Sequence, residues 1–334
     1  MKEVLPKIYL SGSFSLKKGK EEEWIRRTGT QYKCYSYAFV GEDAFFYCEQ
    51  LKDMLDVDIR MDVGIMIDSG AFSFHRFMHK QKMTKSGKEL RIELVDKLRD
   101  ETIEKYVEFI KRRGNEFDFY VNFDIVKDAK IVYRMQKKLE KMGIKPMPMI
   151  HGDSGIEWLE RYLEEGYNYI GIGSSGGTAT VRRKWKGNTY YMDSCFNLID
   201  KYSVRGRKIK VHGFGRTSMA MMFGWPFYSV DSSTWAKAGA FGAILIPSDK
   251  GLKSFSVSLR RGHRSQSKTS HMLEGVTRKH VIDFIESRGF SYKLMTESKY
   301  ERDTWNGWVT AHLHEWKEPF LERSGVHRRY DVLL

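Results

Sequence analysis

Val63-Gly-Ile-Met-Ile-Asp68-Ser-Gly-Ala-Phe-Ser73 decides the fold of this chain. The four apolar residues between Val63 and Ile67 make a buried-strand run too short for a helix. The run stops at an acid followed by Ser-Gly, a turn signal. An Asp at the carboxyl end of a buried parallel strand is where α/β proteins place their chemistry. Asp68 has an alternative use as the cap of the next helix. The same arrangement recurs five more times downstream, which favours the site.

Outward from this stretch the chain alternates. Before it, Lys7 to Gly12 reads as a strand ending in a turn, Tyr32 to Val40 as a second strand, and Asp43 to Met54 as a helix after an acidic start. Behind it, Phe72 to Leu90 carries the basic run Lys80-Gln-Lys-Met-Thr-Lys-Ser-Gly-Lys88 and reads as a long functional loop. Helices are expected over Asp96 to Arg113, Ala129 to Met142, Gly155 to Glu165, Asp193 to Tyr202 and Thr217 to Phe223. Strands fall between them at Phe117 to Asp124, Pro146 to Gly152, Tyr167 to Gly173, Lys208 to Gly215 and Pro226 to Asp231, with a last apolar strand at Phe241 to Ile246. Repeated strand–helix units predict an α/β fold with a parallel sheet, and about eight of them favour a (β/α)8 TIM-type barrel over an open doubly wound sheet. We place the barrel, with its basic insertions, at residues 1–249. A basic, mostly helical C-terminal extension follows at 250–334, with helices at Val276 to Arg288 and Trp305 to Leu321.

The bulk composition narrows the function. Of 334 residues 41% are hydrophobic, enough for a full core, and the formal net charge is +14. A compact enzyme with that excess of cations suits a polyanionic partner, nucleic acid before an anionic membrane. No run approaches the roughly 18 apolar residues of a membrane span. The opening Met-Lys-Glu-Val-Leu-Pro-Lys lacks the apolar core of a signal peptide. The three cysteines, Cys34, Cys48 and Cys195, form no Cys-x-x-Cys pair, which argues against a disulfide framework or a cysteine-rich metal site and for a reducing, cytoplasmic setting. No cofactor is expected, and no metal. His75 with His79 and His312 with His314 lack a third ligand.

In a barrel, the residues at the strands' carboxyl ends converge on one mouth. Here these are Asp68, Asp124, His151, Gly173 with Ser174, His212 with Gly213, and Asp231. Carboxylates are rarely buried without a partner. Two facing acids suit substitution at an anomeric carbon, one as nucleophile and one as proton shuttle. Residues alone therefore reach glycosyl chemistry on a polyanion. Gly171-x-Gly173-x-x-Gly176 also matches a dinucleotide fingerprint, with Asp193 about 20 residues on. The segment that follows it, Thr178 to Lys186, is a poor start for a phosphate-binding helix, so a turn at a barrel mouth is the better reading.

These motifs resemble, in the same order, those of the tRNA-guanine transglycosylases. Asp68-Ser-Gly-Ala-Phe is similar to that family's Asp-Ser-Gly-Gly-Phe, and Phe123-Asp124 sits where the family has its base-reading Asp. Met149-Ile-His151-Gly152 resembles Val-Gln-Gly, and Ile170-Gly-Ile-Gly173 resembles a Gly-Gly-Leu strand end. His212-Gly-Phe-Gly215-Arg-Thr217 resembles Met-Gly-Val-Gly-Thr-Pro, and Tyr228-Ser-Val-Asp231 the strand ending in the nucleophilic Asp. The resemblance runs from Val63 to about Ile246. It implies a base exchange in which Asp231 attacks C1′ of a guanosine nucleotide, forming a covalent glycosyl-enzyme, while Asp68 serves as general acid and base. Asp124, His151, Gly173, Ser174, His212 and Gly213 would hold guanine or its 7-deazaguanine replacement.

The departures from the family have implications of their own. His151 replaces a base-reading Gln, though a neutral His still offers one donor and one acceptor. The family's zinc subdomain, three Cys and one His beside the RNA-binding face, is missing. In this the chain resembles the phage-type relatives that insert 7-deazaguanines such as preQ0 into DNA. DNA is therefore the favoured polymer over tRNA, with the free base as second substrate and a homodimer or partner protein as a further possibility. Arg182, Arg183, Lys184, Trp185 and Lys186, with Arg260, Arg261 and Arg264, combine cations and an aromatic as phosphate and strand contacts. Three alternatives stay open: a tRNA-guanine transglycosylase, a DNA glycosylase or nucleoside hydrolase, and a non-catalytic DNA-binding barrel.

Overall fold

The computed structural model describes residues 5–12, 20–40, 45–47, 52–71, 90–124, 128–152, 154–173, 188–203, 206–259 and 275–324. Eight parallel strands make the main sheet: β1 (Lys7–Ser11), β2 (Tyr32–Ser36), β3 (Gly64–Asp68), β4 (Phe119–Tyr120), β5 (Met149–Ile150), β6 (Tyr169–Ile172), β7 (Lys210–Gly213) and β8 (Ser229–Ser232). Their hydrogen-bonded order is β4-β3-β2-β1-β8-β7-β6-β5. Each strand thus lies beside its neighbour in sequence, and β1 pairs with β8 in the register Tyr9 with Asp231. The sheet curls until its edges approach. Among the described residues no full ladder closes it, but Val121 and Met147 form one parallel bridge. There Met147 N–H donates to Tyr120 O at 2.8 Å and Asn122 N–H to Met147 O at 3.1 Å.

Alternation along the strands builds two environments. Tyr9, Cys34, Met66, Phe119, Val121, Met147 and Met149 pack together with Tyr32, Tyr169 and Phe214 inside the curl. The alternate residues Ile8, Leu10, Ile170, Ile172, Val211 and Val230 pack outward on one larger core, and Tyr35, Ile65 and Ile67 on another. Helices cover that outer face. The one at Ala129–Lys141 shows why: Asp128 caps its start by accepting from Lys130 N–H and Ile131 N–H, and it buries Val132, Gln136 and Leu139 at helical spacing.

The C-terminal helix Lys299–Ala311 joins the same core, where Trp305 lies buried with Trp24 and Trp235. Its Asn306 accepts from Leu245 N–H at 2.7 Å and donates to Trp235 O and Ala243 O, both at 3.1 Å. Gly307 lets it approach the helix Lys20–Thr28, since a Cβ there would stand 2.7 Å from Trp24 Cζ2. No described helix is long and apolar enough to cross a membrane.

Four expectations need correction. Asp43 to Met54 is not one helix: Phe45–Tyr47 pairs antiparallel with Ala38–Val40, as an aromatic run favours, and the helix is Lys52–Arg60. The apolar segment near Phe241 to Ile246 is a strand at Ala243–Ser248, but outside the parallel sheet. It forms an antiparallel hairpin with Gly251–Ser256, a strand inside the extension expected to be helical. The tight turn at Asp249 and Lys250, with Gly251 at φ +102°, makes that local pairing the easier one. The boundary drawn between residues 249 and 250 falls in this turn. Lastly, Trp305 to Leu321 is not continuous. One helix starts earlier, at Lys299, under a Ser298 cap, and the next begins at Lys317 after a 3-10 turn, Leu313–Trp316.

Candidate active site

Strand parity brings the expected residues to one end of the curled sheet. Ser11, Ser36 and Asp68 end β1, β2 and β3, and Asp231 lies in β8. Asp124, His151 and Gly173 follow β4, β5 and β6. Two hydrogen bonds hold Asp231, and an imidazole stands near it. Ser11 Oγ–H donates to Oδ2 at 2.5 Å, Gly215 N–H donates to Oδ1 at 2.9 Å, and His212 Nε2 stands 3.4 Å from Oδ1. Burial alone pushes its carboxyl up, but the His212, Ser11 and Gly215 contacts outweigh this and hold it below the ordinary carboxylate range.

Asp68 behaves oppositely. Burial, followed by the like charges of Asp124 and Asp231, pushes its carboxyl up to about 7, against partial relief from Gly70 N–H and Ser36. The Gly70 N–H bond to Oδ2 is 3.2 Å long, and Gly70 takes φ +80°, a conformation that suits glycine. Asp68 therefore makes the helix-cap kind of contact as well, one turn bond to its own backbone. Cys34 lies on the floor between the two acids, its thiol pushed up by burial and then by Asp231 and Asp68.

Across the mouth, His151 Nε2 and Asp124 Oδ2 are 2.7 Å apart. Tyr191 O–H donates to His151 O at 2.9 Å and steadies that strand end. Gly173 is close to His151, since a Cβ there would stand 3.0 Å from the ring Nδ1. Arg216, buried, donates to Gly173 O at 3.1 Å. Gly213 leaves room for the side chains of Arg216 and Phe227. Gly171 needs to be glycine for packing, because a Cβ would meet Phe214 Cε2 at 2.4 Å.

Compared with known proteins, the chain matches no family model and no curated protein.

The two carboxyls are shifted in opposite directions, Asp231 toward its ionised form and Asp68 toward its protonated form. Among the described residues, no group of three or more His, Cys, Asp or Glu is placed to hold a metal ion. His312 stacks on Trp308, with ring centroids 4.7 Å apart, as a packing residue. A cavity of about 830 Å³ lies at the opposite, amino-terminal ends of β4 to β6, where Lys137 is already paired with Glu140 and Glu165. Ser174, Arg182, Arg183, Lys184, Trp185, Lys186, Arg260, Arg261, Arg264 and the pair His75 with His79 lie outside the described residues.

Sequence reasoning missed Ser11, Ser36 and Gly215 N–H as partners of the acids. Leu10-Ser11-Gly12 carries the same strand-then-turn signature as Ile67-Asp68-Ser69-Gly70, and that signal was present for Ser11. His212, expected at the base, is fully buried beneath Asp231.

Proposed function

We propose that the protein is a base-exchange glycosyltransferase with a (β/α)8 barrel, replacing guanine in nucleic acid, DNA in preference to tRNA, with a 7-deazaguanine such as preQ0. The observation that carries the reading is the opposed electrostatics of Asp231 and Asp68 at one mouth. Asp231, ionised and held by Ser11 and Gly215, attacks C1′ of the nucleotide. The C1′–N9 bond breaks with its electron pair leaving on the base, and Asp68 delivers the proton to that base. The incoming base then gives Asp68 a proton as it attacks C1′, and Asp231 departs as carboxylate. The Asp124–His151 pair faces the base edge, offering a carboxylate acceptor beside an imidazole. The net charge of +14 suits a polyanionic substrate.

The test is incorporation of labelled guanine or preQ0 into duplex DNA, single-stranded DNA and tRNA, read by mass after digestion to nucleosides. Label in DNA is expected, and Asp231→Ala and Asp68→Ala should each abolish it without unfolding the protein. Label in tRNA alone would reassign the polymer. An abasic product without added base would mark a hydrolase instead, and salt-sensitive binding without any turnover a non-catalytic barrel.

A further inference from the structure

His212, Ser229 and Tyr169 stand on three neighbouring strands, β7, β8 and β6, all directed into the curled sheet. Ser229 is the register partner of His212, and Asp231 lies two residues beyond Ser229, on the same face and one layer nearer the mouth. Ser229 Oγ is 2.6 Å from His212 Nδ1 and 2.6 Å from Tyr169 Oη. The imidazole is fully buried and set edge-on against three rings, those of Tyr9 (centroids 6.2 Å apart), Phe119 (5.3 Å) and Phe214 (4.5 Å). Its plane is thus fixed by packing, and its two nitrogens face different partners. Among the described residues Nε2 meets no acceptor at ordinary hydrogen-bond length, and the atom it faces is Asp231 Oδ1, 3.4 Å away.

A bare Nε2 lone pair would face a carboxylate, so Nε2 carries a proton. Tyr169 has one proton, and among the described residues its hydroxyl meets Ser229 Oγ. If Tyr169 donates there, Ser229 turns its own proton to His212 Nδ1, which then accepts. We infer that a one-way relay, Tyr169 O–H to Ser229 O–H to His212 Nδ1, fixes His212 as the neutral tautomer with Nε2–H aimed at Asp231. Such outer partners set the tautomer of a functional imidazole in many sites.

His212 is therefore a positioning residue for Asp231. Its catalytic consequence rests on the base-exchange reading, but the tautomer does not. During attack the Asp231 oxygen–C1′ bond forms and the C1′–N9 bond breaks, with the proton for the base coming from Asp68. No proton crosses the relay. Its part is to orient the carboxylate and to keep it anionic in a dry pocket while leaving it nucleophilic, which a full imidazolium would oppose. The titratable groups facing this unit are Asp231 from β8, Tyr9 from β1 with its hydroxyl bonded to Asp118, Tyr169 from β6, and the Cys34 thiol and Asp68 beside Asp231.

The experiment uses the full chain with ¹⁵N-labelled histidine, and the His212 signals are assigned by their loss in His212→Gln. The expected spectrum at neutral pH shows His212 protonated on Nε2 and bare on Nδ1. In Ser229→Ala, and less so in Tyr169→Phe, that preference should be lost. In the exchange assay, His212→Ala and Ser229→Ala should lower kcat about tenfold with KM little changed, and His212→Gln, which keeps an N–H near the Nε2 position, should recover most of it. A wild-type His212 protonated on Nδ1, or a tautomer unchanged in Ser229→Ala and Tyr169→Phe, would overturn the relay. If a variant fails to fold, the wild-type spectrum still decides. Absence of exchange by the wild-type protein on every polymer would sink the base-exchange reading alone, because the tautomer is read without turnover.

Discussion

Replacing Asp68 by Asn removes a carboxyl that burial and the charges of Asp124 and Asp231 push from 3.8 up to about 7. In the unfolded chain the acid ionises near its ordinary value, so between pH 3.8 and about 7 the folded state holds a proton that the unfolded state has released. Stability therefore falls as pH rises through that window and stays at the lower level above it. The gap corresponds to about 4 kcal/mol, an upper limit because part of the carboxyl touches solvent. Asn resembles the protonated acid in shape and does not titrate, so the variant lacks this slope. Urea unfolding of both proteins, from about pH 4 to about pH 8.5, should show Asp68→Asn gaining several kcal/mol on the wild type toward the alkaline end. Exchange activity should be lost at every pH. Parallel stability curves for the two proteins would refute the reasoning, since a carboxyl with an ordinary value contributes no such difference.

Three further outcomes can be checked. Ser11→Ala removes the 2.5 Å donor to Asp231, so the acid limb of the pH–rate profile should move up by roughly one pH unit, and an unmoved limb would show that Ser11 is incidental. Gly171→Ala places a Cβ 2.4 Å from Phe214 Cε2 and should cost about 1–3 kcal/mol in thermal unfolding. Adding Phe214→Leu should then restore most of it, as expected for two residues that share one space. Tyr35→Phe strips the hydroxyl that donates to Asp58 Oδ2 at 2.7 Å, with Glu21 Oε1 also 3.1 Å away, inside the core. It should cost about 2 kcal/mol, read as a lower denaturant midpoint with an unchanged slope, and a neutral result would mean that the buried Lys33, which donates to Glu21 at 2.5 Å, stabilises these acids without the hydroxyl.

By itself the sequence determined the parallel sheet and its strands. Short apolar runs ending in polar turns, separated by helix-length segments, admit few other arrangements, and all eight strands follow from Lys7 to Asp231 in the expected order. It also placed Asp68, Asp124, His151 and Asp231 at strand ends, and strand ends of a parallel sheet share one side. Where local pairing competed with the sheet, sequence was a poor guide. Ala243–Ser248 is as apolar as any sheet strand, yet a two-residue turn gives it a nearer partner in Gly251–Ser256. Phe45–Tyr47 lies inside what looked like a helical window because helix spacing and an aromatic strand overlap over so few residues. Only the tertiary structure decided how the acids differ. Asp68 and Asp231 are the same residue type in the same kind of position. The first has like charges beside it and the second has Ser11, Gly215 and His212, partners drawn from distant parts of the chain. Hydrogen bonds and Coulomb interactions act over a few ångströms of space whatever the separation in sequence, so the opposite shifts of the two carboxyls exist only once the sheet has curled.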